Sequence, residues 1–487
     1  MSISSAFNAA LSGLSLANRS ASVVSNNIAN ATTEGYGARI IRPSAVVVGG
    51  ELSGVRVGSI DRQSDPVLLG QRRSADAEAG QAQVRASFAT QLETLIGTPD
   101  QNDSLSAQIV RLENSLIEAS NRPDSDASLG ATVNSAKNLA QKLNSISDEI
   151  QMARQNADLE IGSAINFLND SLLQLENINK QMLIQRGTGG DVNAYLDQQQ
   201  VVVDGIADLI PIREFRTENG QLRLYSQDGI SLLDGTASQF EFSATRVIAP
   251  DMTLSSGALS DITRDGDPLP RNGSVAGLSG GRLGALFELR DESAIEAQTQ
   301  LDAIARDLAE RFEQPGVDAT RAATDPGFFT DNGLLTSPTD EVGLAQRLTV
   351  NNLVDPALGG NYFRLRDGLG ALAPGNVGDP TVLQNLLNAL TDSRPAASGA
   401  FVGQVFTLSQ LNTEVVSQTG IGRQEALRQE SFSMARQSSL RQAELDNGVN
   451  TDQELQKMLV IEKLFTANAR VIEAASEMLD TLVRLGR

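Results

Sequence analysis

Apolar positions at both ends of the chain recur in an alternation of threes and fours. Near the start, Ile3, Phe7, Ala10, Leu14, Ala17, Ala21, Val24 and Ile28 fall in register. All are apolar, at a mean spacing of about 3.5 residues, the period of a heptad seam. Near the end, Met458, Ile461, Phe465, Asn468, Ile472, Ala475, Leu479 and Leu482 follow the same rule. Asn468 is the exception to their apolar character, and a lone seam Asn fixes register at a cost in stability. Two ordinary amphipathic helices packed on a core would show similar stripes. The pairing of the two at the chain ends, each stopped by a glycine (Gly35 and Gly486), favours one shared coiled element. Alanine fills much of the first seam and buries little, at roughly 0.8 kcal/mol per missing CH₂. The expectation is therefore terminal segments that are mobile in solution and fold on assembly.

Residues 36–75 alternate apolar and polar with β-branched runs, and read as extended chain or short strands. A helical period then runs from about 76 to 186 in four pieces. The first ends at Leu95-Ile96 before Gly97-Thr98-Pro99, and the second, through Leu105, Ile109, Leu112 and Leu116, stops near Pro123. The third covers about 129–161. The fourth runs from Leu168 to Met182 and is broken by Gly187-Thr188-Gly189-Gly190. A short helix carries Tyr195-Leu196-Asp197. From Ile210 to about Thr263 strands alternate with turns such as Glu218-Asn219-Gly220. Helix returns over 283–312, residues 313–400 are rich in Gly and Pro, and helix resumes near 403–445.

The chain thus goes out and comes back, and the predicted fold is mainly α with a β-rich insertion and discontinuous domains. Residues 1–35 and 447–487 form a terminal coiled-coil layer. Residues 36–200, 283–312 and 401–446 form a helical-bundle middle domain. Residues 201–282 and 313–400 form an outer β-rich, irregular insertion.

Composition narrows the chemistry. In 487 residues there is no His, no Cys and no Trp, and Asp plus Glu number 60 against 39 Lys plus Arg, a net charge of -21. Imidazole or thiolate zinc sites and Ser-His-Asp or Cys-His catalysis are excluded. So acidic a chain repels nucleic acid and anionic lipid heads, and no apolar run is long enough to span a membrane. The first twenty residues lack the basic and unbroken apolar stretches of a cleaved secretory signal, so composition alone points to the cytoplasm.

The motifs point elsewhere. Ser25-Asn26-Asn27-Ile28-Ala29-Asn30, followed by Gly35-Tyr36, resembles the N-terminal signature of the rod/hook axial protein family of the bacterial flagellum. That family often carries Pro where Glu34 stands here. Gly448-Val449-Asn450, Ala469-Arg470-Val471-Ile472 and Glu477-Met478-Leu479-Asp480-Thr481-Leu482 are similar to its C-terminal signature, with Phe465 where a Tyr is common. Mid-chain, Gly280-Gly281-Arg282-Leu283-Gly284, Leu289-Arg290-Asp291, Leu301-Asp302, Asn121-Arg122-Pro123-Asp124-Ser125 and Tyr195-Leu196-Asp197-Gln198 resemble the hook-associated branch found where hook meets filament. That branch usually continues with Arg-Asp where Gln199-Gln200 stand, which puts one salt link in doubt.

The resemblance implies a structural, non-enzymatic subunit without cofactor, in a tubular assembly whose terminal helices line an export channel. It implies export by the flagellum's own type III apparatus without a cleaved signal, and a place outside the cell at the hook–filament junction. The implied partners are other copies of the chain, the hook protein, the second junction protein (hook-associated protein 3) and an export chaperone on the C-terminal coil. Assembly would involve the seam residues together with Asn26, Asn27, Asn30, Gly35, Tyr36 and Arg470. The asparagines either only end the helix or bond to a neighbouring subunit. Gly35 suits a positive φ, with Tyr36 docking behind it. Charges flanking the C-terminal seam, such as Arg470, Glu473, Glu477 and Arg484, serve as a solvated face or choose the partner helix.

Other chemistry is weak. Gly277-Leu278-Ser279-Gly280-Gly281 matches a nucleophile elbow but has no His to serve it. Gly187–Gly190 lacks the Lys-Ser/Thr of a phosphate loop. Asp265 and Asp267 lack the rest of a calcium loop. The alternatives are a hook or rod protein of the same family or, from another class, a secreted hydrolase with an acid pair in the insertion.

Overall fold

The computed structural model describes residues 3–48, 51–218, 220–272 and 275–485, so Gly486 and Asn219, named above, lie outside the described residues. Helices dominate. In chain order they are α1 (Ile3–Ala29), α2 (Pro66–Ile96), α3 (Leu105–Asn121), α4 (Asp126–Gly187), α5 (Asn193–Leu209), α6 (Gly281–Glu288), α7 (Ala294–Glu313), α8 (Leu344–Arg347), α9 (Phe363–Asp367), α10 (Thr381–Thr391), α11 (Leu408–Asn447) and α12 (Thr451–Leu485). The strands form small antiparallel sheets. A long hairpin pairs β1 (Arg39–Val48) with β2 (Glu51–Arg62), with irregularities at Arg42/Pro43 and Val46/Val47. β3 (Ile212–Arg216), β4 (Leu222–Ser226) and β5 (Ser231–Asp234) form the body of a meander.

The chain divides into two compact units. One comprises residues 1–79, 167–238 and 433–487, and the other residues 80–166 and 239–432.

In the second unit a single core gathers Leu105, Ile109, Leu112 and Leu116 of α3 with Leu129, Val133, Leu139, Leu143, Ile146 and Ile150 of α4. Leu301, Ile304, Leu308 and Phe312 of α7 join it, as do Leu383, Leu386 and Leu390 of α10. With no Trp available, phenylalanines supply the aromatic packing, as in the triad of Phe312, Phe328 and Phe329, whose centroids lie 5.2–5.6 Å apart. Ser104 caps α3, accepting from the amide of Ala107 at 3.1 Å.

Residues 313–400 differ from expectation. They hold α8, α9, α10 and three 3₁₀ turns, and their Phe328, Leu344, Leu365 and Leu383 enter the helical core. Gly and Pro there punctuate short helical pieces without excluding them. The third and fourth predicted helices are also one. α4 runs unbroken for 62 residues, because Gly162 is helical and its missing side chain would only touch Ala244 and Phe242 at 3.6 and 3.7 Å. α2 begins at Pro66, ten residues earlier than the period implied, with Pro at the first helical position where no amide is needed.

In the first unit, Leu168, Leu172, Leu175, Ile178 and Met182 of α4, Val203 and Ile206 of α5, and Leu222, Leu224, Leu232 and Leu233 of the meander are buried. Asn179 joins helix to strand. It donates to the carbonyl of Leu222 at 2.9 Å and accepts that residue's amide at 3.1 Å. α1 packs lengthwise on α12, and the β1–β2 hairpin also packs on α1. Gly54 (φ 143°) allows the close approach, since a Cβ there would stand 2.4 Å from Ser12 Oγ. The same hydroxyl accepts the amide of Val55 at 3.1 Å.

Candidate assembly site

The N-terminal motif closes a polar network inside the first unit. Asn27 is 1% exposed, and its amide is fully used. Nδ2 donates to the carbonyl of Arg39 and to Glu454 Oε2, both at 3.0 Å. Oδ1 accepts the Tyr36 hydroxyl at 2.9 Å and the Arg39 amide at 3.0 Å. Burial pushes the Tyr36 phenol above its ordinary pKa, against the pull of Arg39. Asn27 thus bonds within its own chain, to residues well beyond its helix end, which neither reading of the asparagines described. Asn30 ends the helix, its side chain donating to the carbonyl of Asn26 at 2.9 Å, and Asn26 itself is exposed.

Gly35 has φ 74°, and a Cβ there would lie 2.5 Å from Val201 and 3.1 Å from the carbonyl of Asp197. Glycine is needed for both conformation and space. The turn thus lands on α5, where Asp197 gathers Arg39 and Arg62, each at 2.7 Å, and the amide of Gly37 at 3.1 Å. Gln200, at the departure from the family pattern, replaces a charge with a bridge. It accepts from Arg62 and donates to Glu444 at 2.9 Å. Arg72 then holds Asp76, Asp204 and Glu444 at 2.7, 2.5 and 2.6 Å. Burial pushes the Glu444 carboxyl above its ordinary range while Arg72 pulls it down. Asp197 was legible through its motif. Arg62, Arg72, Asp76 and Glu444 carry no local signal and are found only in three dimensions.

The seam residues divide. Ile3, Phe7, Leu14 and Ile28 are half-buried and Val24 is buried on α1. On α12, Met458, Ile461, Asn468 and Ile472 are half-buried and Ala475 is buried, whereas Phe465, Leu479, Leu482 and Arg470 are exposed. Asn27 meets Glu454 and Gly13 meets Asn468, so the two helices run antiparallel.

Sequence reasoning missed a second apolar line on α12. Val460, Leu464, Ala467, Val471, Ala474 and Met478 follow the same alternation beside the first seam, Thr481 interrupts it before Leu485, and all of these apolar positions are exposed. Its larger members are 45–79% exposed, beyond what scattered surface leucines require. The signal was present, because shifting the register by one residue reveals it.

In the second unit the mid-chain motif explains itself as buried polar structure. Arg290 is 0% exposed and pairs with Asp158 at 2.5 Å and Asp291 at 2.8 Å. It also stacks on Phe287 and Phe242. It sits in a π-helical turn, Leu289–Ser293, between α6 and α7. Arg154 donates to the carbonyls of Arg290, Ala249 and Met252, holding the irregular segment near residue 250. Asp302 accepts the amides of Gly343 and Ala345 and the side chain of Gln298, and burial pushes its carboxyl up to about 6. Gly277–Gly281 is a lead-in to α6 with positive φ at Gly277, Gly280 and Gly281. Among the described residues no cluster of acids has the geometry to hold a metal ion, and no helix is long and apolar enough to cross a membrane.

Three family models match the chain. Residues 89–328 match the flagellar hook-associated protein FlgK helical domain. Residues 7–36 match the flagella basal body rod protein and 446–485 the flagellar basal body rod FlgEFG protein C-terminal region. The chain belongs to the flagellar hook-associated protein family. Flagellar hook-associated protein 1 of Bacillus subtilis is 23% identical, covering 95% of this chain and 94% of that one. Its counterpart in Salmonella typhimurium is 24% identical, covering 64% of this chain and 56% of that one. The structure of the flagellar hook junction protein FlgK from Burkholderia pseudomallei aligns with TM-score 0.45 and 19% identity, over 54% of this chain and 46% of that one. As a member of this family the chain is a structural protein of the flagellum, built to assemble with other hook components.

Proposed function

We propose that this chain is the subunit joining hook to filament, packed with its own copies into a tube around the export channel. The observation that carries the reading is the second apolar line of α12. It is a heptad face that the chain's own α1 leaves uncovered, on an element matching the rod-protein C-terminal family. In the assembly, residues 1–35 and 447–487 form the inner layer, and neighbouring copies cover this face. The hook protein lies on one side and the second junction protein (hook-associated protein 3) on the other. Before assembly an export chaperone shields the same apolar surface, and the flagellar type III apparatus exports the chain without cleaving a signal.

Deleting the gene, imaging the cells and assaying the medium for flagellin tests this. Complete hooks, absent filaments and flagellin shed into the medium are the expected result. Missing hooks would move the chain to the rod or hook, and intact filaments would overturn the flagellar role.

A further inference from the structure

Two polar contacts interrupt the otherwise apolar seam between α1 and α12. At the first, Gly13 lacks a side chain where one has no room. A Cβ there would stand 2.7 Å from Asn468 Oδ1, 2.8 Å from Nδ2 and 2.9 Å from Cγ. The Asn468 amide folds back along its own helix, donating to the carbonyl of Leu464 at 2.9 Å, and lies over Gly13. Gly13 sits inside a regular helix and is absent from the positive-φ glycines, so space rather than conformation requires it. A mid-helix glycine costs roughly 1 kcal/mol relative to Ala, which a merely apolar seam would have no reason to bear. At the second contact, Asn27 donates to Glu454.

The two contacts are spaced alike. Fourteen residues separate Gly13 from Asn27, and fourteen separate Glu454 from Asn468. That is two heptads on each helix, in opposite directions. Between and beside them the buried α1 positions are the small or short Ala10, Ala17, Val23 and Val24. An all-apolar heptad seam discriminates poorly between registers, because a one-heptad slip still opposes apolar to apolar. The polar contacts do discriminate. A slip of one heptad would set Asn468 against Ala6 or Ser20, which carry a Cβ, and would deprive the buried Glu454 of Asn27. The cost is steric at one point and, at the other, that of a buried carboxylate oxygen left without its donor, since Lys457 on the same helix holds only the second oxygen, at 2.5 Å.

We propose that Gly13 with Asn468, and Asn27 with Glu454, form a two-point register lock. It selects one antiparallel pairing of α12 with its own α1 over slipped pairings and over pairing with another α12. The lock thereby fixes which line of α12 is covered and which stays free. It does so whatever the chain's place along the flagellum, so its failure and that of the junction role are separable.

The natural chain has no cysteine, which makes disulfide mapping clean. In the full-length G13C/N468C variant, a sulfur at 468 would stand near the present amide carbon, within bonding reach of one at 13. Mild oxidation is expected to give an intramolecular cross-link, read as faster migration on a non-reducing gel. G13C/I461C and G13C/A475C, one heptad away and displaced by roughly 10 Å, are expected to give none. Tryptic cleavage at Lys463 and Arg470 then reports the energetics. G13A should speed cleavage about ten-fold, as expected for roughly 1.4 kcal/mol of overpacking. G13A/N468A should recover most of that protection, because the methyl takes the vacated space. N468A, which only removes atoms, serves if G13A does not accumulate. Its cross-seam loss should then vanish in the double variant. Cross-linking in the shifted pairs, none at 13/468, or simple additivity of the two substitutions would each overturn the lock.

Discussion

α4 and α12 are both long helices rich in leucine, isoleucine and valine, yet they end in different states. Where α4 runs through the second unit it buries Leu129, Val133, Leu139, Leu143, Ile146 and Ile150 in one core. α12 fully buries only Glu454 and Ala475 among its described residues, and leaves Leu464, Val471 and Met478 near half exposure. Apolar content does not separate them; the number of packing partners does. The second unit satisfies its helices within itself, down to the ion pairs of Arg290. α12 has one covering helix and one bare face, the state of an element whose remaining partners are other molecules.

The comparison breaks most sharply at the closed side. Arg290→Ala would leave Asp158 and Asp291 without their cation, and Asp158 has no exposed side-chain surface. We expect a loss of about 3–5 kcal/mol in chemical denaturation of the second unit. A loss below about 1 kcal/mol would mean that its charges are hydrated and the unit less closed than described.

Next in size is Asp302. Its folded pKa of about 6 lies above the ordinary carboxylate value of 3.8. A raised value means that the folded state holds the proton more tightly. The contribution is therefore fully present below pH 3.8 and is lost as pH rises through 6, by roughly 3 kcal/mol over the window. Denaturation midpoints of the wild type and Asp302→Asn across pH 4–7 would show it. The wild type should lose stability with rising pH relative to the variant.

On the open side the effects shrink. Asn27→Ala removes both donors and both acceptor contacts of one amide, and should cost about 1–3 kcal/mol, seen as faster hydrogen exchange at the end of α1. Leu464→Glu with Val471→Glu should shift the solution stability of the chain by no more than about 0.5 kcal/mol, because both sites already face solvent.

How far the sequence could be read follows the same division. Heptad spacing located α1 and α12 and picked out Asn468, and the Gly35 turn was legible from glycine alone. Local periodicity also found α2, α3, α5 and α11, but it split α4 at Gly162, where a glycine packs beside a neighbour without breaking the helix. It left residues 313–400 outside the core because Gly and Pro obscured Leu344, Leu365 and Leu383. The asparagine motif was recognised, but not that its partners would be Arg39 and Glu454. Contacts across hundreds of residues leave no periodic trace. The bare line of α12 was in the sequence throughout, hidden by the stronger seam one residue away.

In the proposed role, neighbouring copies join along this bare line of α12. Cells lacking the gene, complemented with the L464E/V471E variant, test it most directly by filament counts in electron micrographs. The expected result is a folded, stable protein, complete hooks, few or no filaments and flagellin in the medium. Filaments in normal number would contradict it.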